Sequence, residues 1–458
     1  MDLLQWLSSI FISLWNNLTL LGISVIFSTL FLDFMKRRRC WSRYPPGPTS
    51  LPFIGTMLQI DLNRVHLSLT WLSKKYGNIY SLQYFWKNVV VLNGFKTVRE
   101  ALVSKSEDFA DRPYFAAYNY LGYGETNPGL IMAKYSHAWK EQKRFAITTL
   151  RDFGMGKESL EQLVIKEAEH LCSEFSSQEG LSILGLLQAA PFLMRIPGFV
   201  HIFQHQKNFY AYMAEILKEH KESLKPSCKK CFADAFLEEM EKRKDDKNSL
   251  FSDNNLPVVI GDLFAAGTET TSATLRWGLL YMILYPNVQR KVQEEIDMVI
   301  GKNRSPKMED QKNMSYTRAV IHEIQRYGNV IPAGLPHMTY KDTELEGYFI
   351  PKGTTVLINL SSVLKDEDVW ENPHQFYPEH FLDANGQFAK QAAFLPFSAG
   401  PRVCAAEQLA RMELFLFFTS LLQHFTFWIS ENQHRPREDG CFSFTLVPHP
   451  YKLQVVSR

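Results

Sequence analysis

Cysteine and net charge are both scarce in this sequence. Six cysteines are spread over 458 residues, and 50 Lys and Arg residues nearly balance 48 Asp and Glu residues, which leaves a formal net charge of +2. So few scattered cysteines do not indicate a disulfide framework, and we therefore expect a reducing compartment. The balanced charge gives no indication that nucleic acid is a partner. The sequence shows no internal repeat either.

Charge is absent altogether from residues 3–32. This run exceeds the ~20 residues with which a helix spans a bilayer, although two asparagines at 16 and 17 narrow the segment to about Leu18–Met35. Basic residues follow directly at 36–39, and clustered basic residues stay on the cytoplasmic side. We therefore expect residues 1–35 to anchor a cytosolic body. A cleaved signal peptide is the alternative, but it would carry its charge before the run and a small-residue cleavage site after it.

Proline and glycine follow the basic cluster as Pro-Pro-Gly-Pro at 45–48. Because three prolines in four residues block helix formation, residues 36–55 are either a stiff element that orients the body or a plain linker. Residues 56–458 are expected to form one catalytic domain. Apolar periodicity predicts helices over 60–76, 256–285, 286–300, 316–327 and 409–424, and strands over 79–92 and 337–360. The fold class is therefore mainly α with minor β.

A loop rich in glycine and proline precedes the last helix. Phe397, Gly400, Arg402 and Cys404 have the spacing Phe-x-x-Gly-x-Arg-x-Cys. Helix-end N–H groups and a nearby arginine favour an anion, so the thiol is well placed to be a thiolate. A lone cysteine is more often a buried structural residue, but four fixed positions arise by chance in only ~0.3% of sequences of this length.

With this motif the sequence resembles the cytochrome P450 superfamily. Three further strings, at 110–113, 394–397 and 414–418, are most similar to the vertebrate microsomal family 2, subfamily D. The resemblance implies a cytochrome P450 fold preceded by an N-terminal transmembrane helix. It also implies haem b as cofactor, with Cys404 as the axial iron ligand and Arg402 paired with a haem propionate. One departure is Ala406, where the family usually has glycine.

The resemblance also implies an activity and its partners. We expect a monooxygenase in the endoplasmic reticulum membrane that receives electrons from NADPH-cytochrome P450 reductase, with cytochrome b5 as a second candidate donor. Its substrates would be lipophilic xenobiotics, basic amines among them, or fatty acids and steroids.

Polar residues interrupt the apolar helix predicted over 256–285. A threonine in such a helix can bond back to its own backbone. By resemblance, however, Gly267 leaves room over the haem, and Glu269 and Thr270 form an acid–alcohol pair that relays protons to bound oxygen.

Other residues take roles by the same comparison. Trp139, Lys143 (or Arg144 in its place) and His337 would hold the propionates. Lys140, Lys143, Arg144 and Arg411 form either a basic face for an acidic electron donor or a solvated charge run. Glu323 and Arg326, which alone would be a weak surface pair, correspond to a structural motif of the family, and His380 stands where its third partner is usually Arg.

The substrate cavity would be lined by Ile131, Phe264, Ala266 and Phe444. Asp262 would anchor a basic amine, or alternatively bond to neighbouring backbone.

Cys228 and Cys231 form a C-x-x-C motif, but no second pair of metal ligands is near it in the sequence, which disfavours a metal or redox role. The chain is also shorter than the family by about fifty residues near Gly180. By comparison with the family, the missing segment holds the end of one core helix, all of the next and the start of a third. Its loss would expose apolar surface worth several kcal/mol, so an impaired splice variant or incomplete gene model is the alternative to an active enzyme.

Overall fold

The computed structural model describes residues 17–32, 45–51, 54–85, 87–114, 118–119, 122–153, 204–222, 231–429, 434–442 and 445–458. The basic cluster at 36–39 and the break near Gly180 lie outside these residues. Residues 17–32 are helical, yet none of the helices in the described ranges has the length and apolar character needed to cross a membrane. The N-terminal anchor therefore stays a prediction.

After the helical segment 17–32, α-helices are the most abundant secondary structure of the described residues. In chain order they are α1 (Val65–Tyr76), α2 (Phe95–Arg99), α3 (His137–Asp152), α4 (Gln204–Glu222), α5 (Phe232–Lys242), α6 (Leu256–Leu284), α7 (Pro286–Val299), α8 (Ser315–Gly328), α9 (Leu360–Leu364) and α10 (Glu407–His424).

The strands are short and form four small sheets. They are β1 (Ile79–Tyr84), β2 (Lys87–Leu92), β3 (His337–Met338), β4 (Thr343–Leu345), β5 (Tyr348–Ile350), β6 (Thr355–Ile358), β7 (Phe425–Ile429), β8 (Gly440–Phe442), β9 (Leu446–Pro448) and β10 (Leu453–Ser457). One sheet has the order β1-β2-β6-β3, in which β2 and β6 are parallel. The others pair β7 with β10, β4 with β5 and β8 with β9.

The predicted helix boundaries are confirmed where prolines or apolar runs define them. Helix α6 ends two residues before Pro286, because proline cannot continue the backbone ladder, and Pro286 then begins α7. The prediction was wrong at residue 60, since α1 begins at Val65. Here the Asp61 side chain accepts the N–H of Asn63 at 2.9 Å, a local turn that competes with helix.

The largest cluster of buried apolar side chains lies between α6, α7, α8 and α10. The carboxyl-terminal half of α6 is almost fully buried in it, and the Trp277 indole N–H donates to the Leu446 carbonyl at 2.9 Å. This packing fixes α6 and α10 relative to each other, and the two motifs of the candidate site lie on α6 and on the loop that precedes α10.

Candidate active site

The loop before α10 is held in one conformation by its own backbone. The Cys404 N–H donates to the Phe397 carbonyl at 3.1 Å, and Gly400–Arg402 form a single 3-10 turn. Gly400 has φ +72°, and a Cβ there would lie 1.9 Å from the Leu102 carbonyl oxygen. Only glycine therefore lets this loop pass so close to the neighbouring backbone.

The Cys404 thiol is accessible although protein surrounds it on most sides. Burial raises its pKa, and the Ala406 N–H and the nearby Lys143 oppose that effect. For the thiol without a bound ion, desolvation outweighs these two groups, and the expectation of a thiolate at Cys404 stays a prediction. A metal ion bound to the sulfur would supply the missing positive charge.

Arg402 is buried beside this loop and is only partly satisfied. Its Nε and Nη2 donate to the carbonyls of Ala110 and Ala133 at 2.7 and 2.6 Å, and its guanidinium lies 3.7 Å from the centre of the Trp139 ring. Its Nη1 is buried with no hydrogen-bond partner among the described residues. Burial lowers the pKa of Arg402 to about 8. The free N–H groups are suited to an anionic acceptor.

Two further nitrogen-bearing side chains surround the same place. Arg112 Nη1 donates to the Pro336 carbonyl at 2.6 Å, and His337 Nδ1 donates to the Phe109 carbonyl at 2.7 Å. Burial lowers the pKa of His337 well below its usual range, and the charges of Arg112 and Arg402 add to this effect. Sequence reasoning assigned no role to Arg112, whose Ala-Asp-Arg-Pro string served only as a family marker. A carboxylate-bearing cofactor such as haem fits this cluster.

The other residues predicted to hold propionates have protein partners or face solvent. The Trp139 indole N–H donates to the Leu130 carbonyl at 3.0 Å, so its ring supports Arg402 instead of offering a donor. Lys143 Nζ donates to the Pro401 and Val403 carbonyls at 2.7 and 2.8 Å and thereby braces the cysteine loop. Arg144 is exposed and lines a surface cavity with Glu238 and Arg243.

Helix α6 presents an accessible face in its middle. Residues 264–269 are exposed, whereas most of the helix on either side is buried. A Cβ placed on Gly267 would meet no described atom within 4 Å, so this turn has open space beside it. The Thr271 hydroxyl donates to Glu413 of α10 at 3.1 Å, which ties this turn to the helix that follows the cysteine loop.

The predicted acid–alcohol pair is not in mutual contact. The Thr270 hydroxyl donates to the Ala266 carbonyl at 2.7 Å, while Glu269 accepts the hydroxyl of Thr445 at 2.8 Å. Consecutive helical residues point ~100° apart, which separates the two side chains. The sequence analysis gave a hydrogen bond from a threonine to its own helix as the alternative, and Thr270 makes this bond in the structure.

Asp262 is buried and its carboxylate is fully used. Oδ2 accepts the N–H groups of Leu130 and Ile131 at 2.7 and 3.0 Å, and Oδ1 accepts the hydroxyl of Tyr123. Only 2% of Asp262 is exposed. The structure therefore favours the second interpretation, in which Asp262 binds backbone N–H groups, and the role of amine anchor stays a prediction. Tyr123, which sequence reasoning missed, occupies the remaining oxygen.

The apolar residues expected around the substrate are partly described. Phe264 is 62% exposed and stacks on Phe209 of α4, with ring centres 6.0 Å apart. Ala266 lies on the same exposed stretch of α6, and Ile131 is half-buried on the loop held by Asp262. Phe444 lies outside the described residues.

Glu323, Arg326 and His380 form a buried network. Arg326 donates to both carboxylate oxygens of Glu323 at 2.7 Å, and neither side chain is exposed. Arg326 also donates to three backbone carbonyls, those of Leu364, Pro373 and Gln375. His380 Nε2 accepts the Asn372 N–H, which leaves Nδ1 to donate to Glu323 at 3.2 Å. Glu323 and Arg326 are therefore a buried ion pair, which excludes the interpretation of them as a weak pair on the surface.

The predicted basic face is reduced by internal pairing. Arg411 donates to Glu407 at 2.8 Å and to His322 at 3.0 Å, and Lys143 is engaged as described above. Lys140 pairs with Glu107 at 3.1 Å but remains half-exposed. Lys140 and Arg144 are thus the most exposed members of the set, while Arg411 is about one-third exposed.

Comparison with known proteins extends over nearly the whole chain. The Cytochrome P450 family model matches residues 45–194 and 186–455. Cytochrome P450 2D14 of Bos taurus is 48% identical, and cytochrome P450 2D15 of Canis lupus familiaris and cytochrome P450 2D6 of Homo sapiens are each 46% identical. Each alignment covers 96% of this chain and 98% of the relative.

The alignments are longer than the chain itself. They run over 489 positions, whereas 96% of 458 residues is about 440, so about fifty positions of the relatives have no counterpart here. Relatives of this kind are haem-thiolate monooxygenases. The match over both stretches and the identity of nearly one half show that the chain belongs to the cytochrome P450 family.

Proposed function

We propose that this chain is a haem-thiolate monooxygenase that inserts one oxygen atom from O2 into lipophilic organic molecules, using electrons from NADPH through a reductase. The observation that carries the proposal is the buried cluster of Arg402, Arg112 and His337 beside the accessible thiol of Cys404. Arginine donors for the propionates and one accessible sulfur for the iron are the groups that a haem-thiolate protein offers to haem b. When bound, haem supplies the activation of O2, which no side chain can perform.

Each residue then has a separate task. Cys404 Sγ would bind the iron, and the rigid loop would hold that sulfur in place through the Phe397 carbonyl. Arg402 Nη1, with Arg112 and His337 nearby, would bind the propionates. Lys143 would act on the loop and not on the cofactor, because its ammonium is already bound to two loop carbonyls.

Thr270 is the residue proposed to handle protons over this site. Its hydroxyl lies next to the open space at Gly267 and donates to a carbonyl, so a small rotation would turn it outward. Glu269, held by Thr445, would contribute charge at the rim of the same face.

Thr270→Ala is expected to lower product formed per NADPH oxidised by about 10²-fold, the range for loss of a positioned proton donor. Ser272→Ala is the matched control, since its exposed hydroxyl also bonds within the helix, to Glu269 at 3.1 Å. Thr270→Ser should retain most of the yield. Equal yields for Thr270→Ala and Ser272→Ala would contradict the proton role.

The substrate is proposed to be apolar and to need no cationic nitrogen. Phe264, Ala266 and Ile131 offer hydrocarbon surface, and the carboxylate of Asp262 is already saturated with three donors. Specificity would therefore come from shape and apolar contact.

Asp262→Asn is expected to change the dependence of stability on pH. Burial raises the pKa of Asp262 from 3.8 to about 6. Between these values the folded state holds a proton that the unfolded state has lost, so stability falls as pH rises through that window, by about 3 kcal/mol in total. In the variant, the midpoint of thermal unfolding should change less with pH between pH 4 and 6 than it does in the wild type. The exposed Asp245→Asn variant should keep the wild-type profile, and a wild-type slope in Asp262→Asn would contradict this account.

Location and partners follow from the family. We propose that residues 1–35 anchor the chain in the endoplasmic reticulum membrane, that residues 36–55 link the anchor to the catalytic domain, and that residues 56–458 face the cytosol. NADPH-cytochrome P450 reductase would be the electron donor, with cytochrome b5 as a second one. Lys140 and Arg144 are the exposed cations available to such acidic partners.

The alternative is a membrane-bound variant that does not retain haem. It is favoured by the fifty missing positions and by the two stretches of the family match, which overlap at 186–194. The proposed position of the loss remains near Gly180, a few residues before this overlap. Reconstituting the full chain with reductase, NADPH and a lipophilic substrate separates the two: product formation supports the monooxygenase, and haem-free protein without product supports the alternative.

A further inference from the structure

Helices α4 and α5 meet at three side chains of different chemistry. His220 lies near the end of α4, Cys231 immediately precedes α5, and Asp234 lies in the first turn of α5. One nitrogen, one sulfur and one oxygen of these residues all lie within 4.8 Å of one another. Asp234 is buried, and the other two are half-buried. The C-x-x-C motif was set aside because no second ligand pair was near it in sequence, yet the fold brings a histidine and a carboxylate to Cys231.

The distances suit a tetrahedral metal ion. With Zn–S of ~2.3 Å and Zn–N of ~2.0 Å, tetrahedral geometry separates sulfur from nitrogen by ~3.5 Å. Cys231 Sγ lies 3.5 Å from His220 Nε2. The pair of His220 Nε2 and Asp234 Oδ1, now 2.6 Å apart through a shared proton, would open to ~3.3 Å as the metal replaces that proton.

A second contact of Asp234 supports this arrangement. Its Oδ2 accepts the Cys231 N–H at 3.1 Å, so one oxygen is oriented by the backbone and the other is directed at His220. A ligating carboxylate fixed by such a hydrogen bond is typical of metal sites. A thiolate, an imidazole and a carboxylate together select zinc over calcium or magnesium, which prefer oxygen alone.

We propose that His220 Nε2, Cys231 Sγ and Asp234 Oδ1 bind one Zn²⁺, with water in the fourth position, and thereby clip α4 to α5. Binding releases the thiol proton, and the proton between His220 and Asp234 leaves Nε2 for Nδ1 or for solvent. The clip stabilises α4 over the site, since Phe209 of α4 stacks on Phe264 and Tyr210 lies beside Gly261. The alternative is that the three residues bind no metal: Cys231 and Asp234 cap α5, and Asp234 pairs with His220.

The test uses the full haem-containing chain, stripped of metal by a chelating resin and titrated with Zn²⁺ alone. One equivalent should remain after gel filtration, and X-ray absorption at the zinc edge should show one sulfur at ~2.3 Å with nitrogen and oxygen at ~2.0 Å. Cys231→Ser and His220→Gln should each weaken Zn²⁺ binding by at least tenfold while retaining the haem spectrum. Zinc should raise the unfolding midpoint of the wild type more than that of either variant.

His374→Gln is the matched control, because His374 pairs with Glu367 at 3.3 Å on the surface without a cysteine ligand. It should bind Zn²⁺ as the wild type does. Three results would overturn the proposal: less than one zinc bound per chain, a bound zinc without a sulfur ligand, or equal zinc affinity in Cys231→Ser and the wild type. Each would show that the three residues form only a helix cap and an ion pair. None of these results depends on monooxygenase activity.

Discussion

Cys404→Ser is expected to abolish the haem-thiolate signal in the carbon monoxide difference spectrum of the reduced protein. Serine offers a far weaker donor than a thiolate, so the electron density that characterises this class of haem protein would be lost. The loop itself should survive, because its shape rests on the Cys404 N–H bond to Phe397 and on Gly400, neither of which involves the sulfur.

Cys441→Ser is the control for this change. Cys441 is also a free, exposed thiol, with its sulfur 3.1 Å from His449 Nδ1, but it lies on β8 and not on the loop before α10. Its variant should keep the full signal. A thiolate signal that persists in Cys404→Ser would show that another residue binds the iron.

Arg326→Ala is expected to lower the free energy of unfolding by about 3–5 kcal/mol, because it leaves the fully buried carboxylate of Glu323 without its charge partner. Three backbone carbonyls lose their donor in the same change. A domain typically has ~5–15 kcal/mol of stability, so the yield of folded haem protein should fall sharply. Denaturant unfolding followed by circular dichroism measures the difference.

An exposed ion pair of similar sequence spacing provides the comparison. Arg290 and Glu294 lie one turn apart on α7, and both side chains are about two-thirds exposed. Arg290→Ala should therefore change stability by less than ~0.5 kcal/mol. If Arg326→Ala were equally mild, the buried network would not be holding α8 to the segment around Pro378–Phe381.

What the sequence predicts well here is local. The apolar run of α6 ends beside Pro286, and the i, i+3 spacing of Glu323 and Arg326 places both on one face of α8, so these features follow from helix geometry alone. The minor strands between 337 and 360 are likewise marked by short alternating runs.

What it does not predict depends on residues distant in the chain. Tyr123 meets Asp262 across 139 positions, and Thr445 meets Glu269 across 176. The spacing of residues in the sequence does not indicate such pairs, because they depend on how distant loops pack against α6. The roles of Asp262 and Glu269 had to be read from their hydrogen-bond partners for this reason. The cluster of His220, Cys231 and Asp234 escaped notice in the same way, since two helices must fold together to form it.

We expect this shortened chain still to hold haem through Cys404. The carbon monoxide difference spectrum of the reduced, purified, unmodified chain, with haem quantified per polypeptide, tests this directly. About one haem per chain is expected, with a maximum at the wavelength from which the family takes its name. Protein that inserts into membranes but contains no haem, or whose spectrum lacks that maximum, would contradict it.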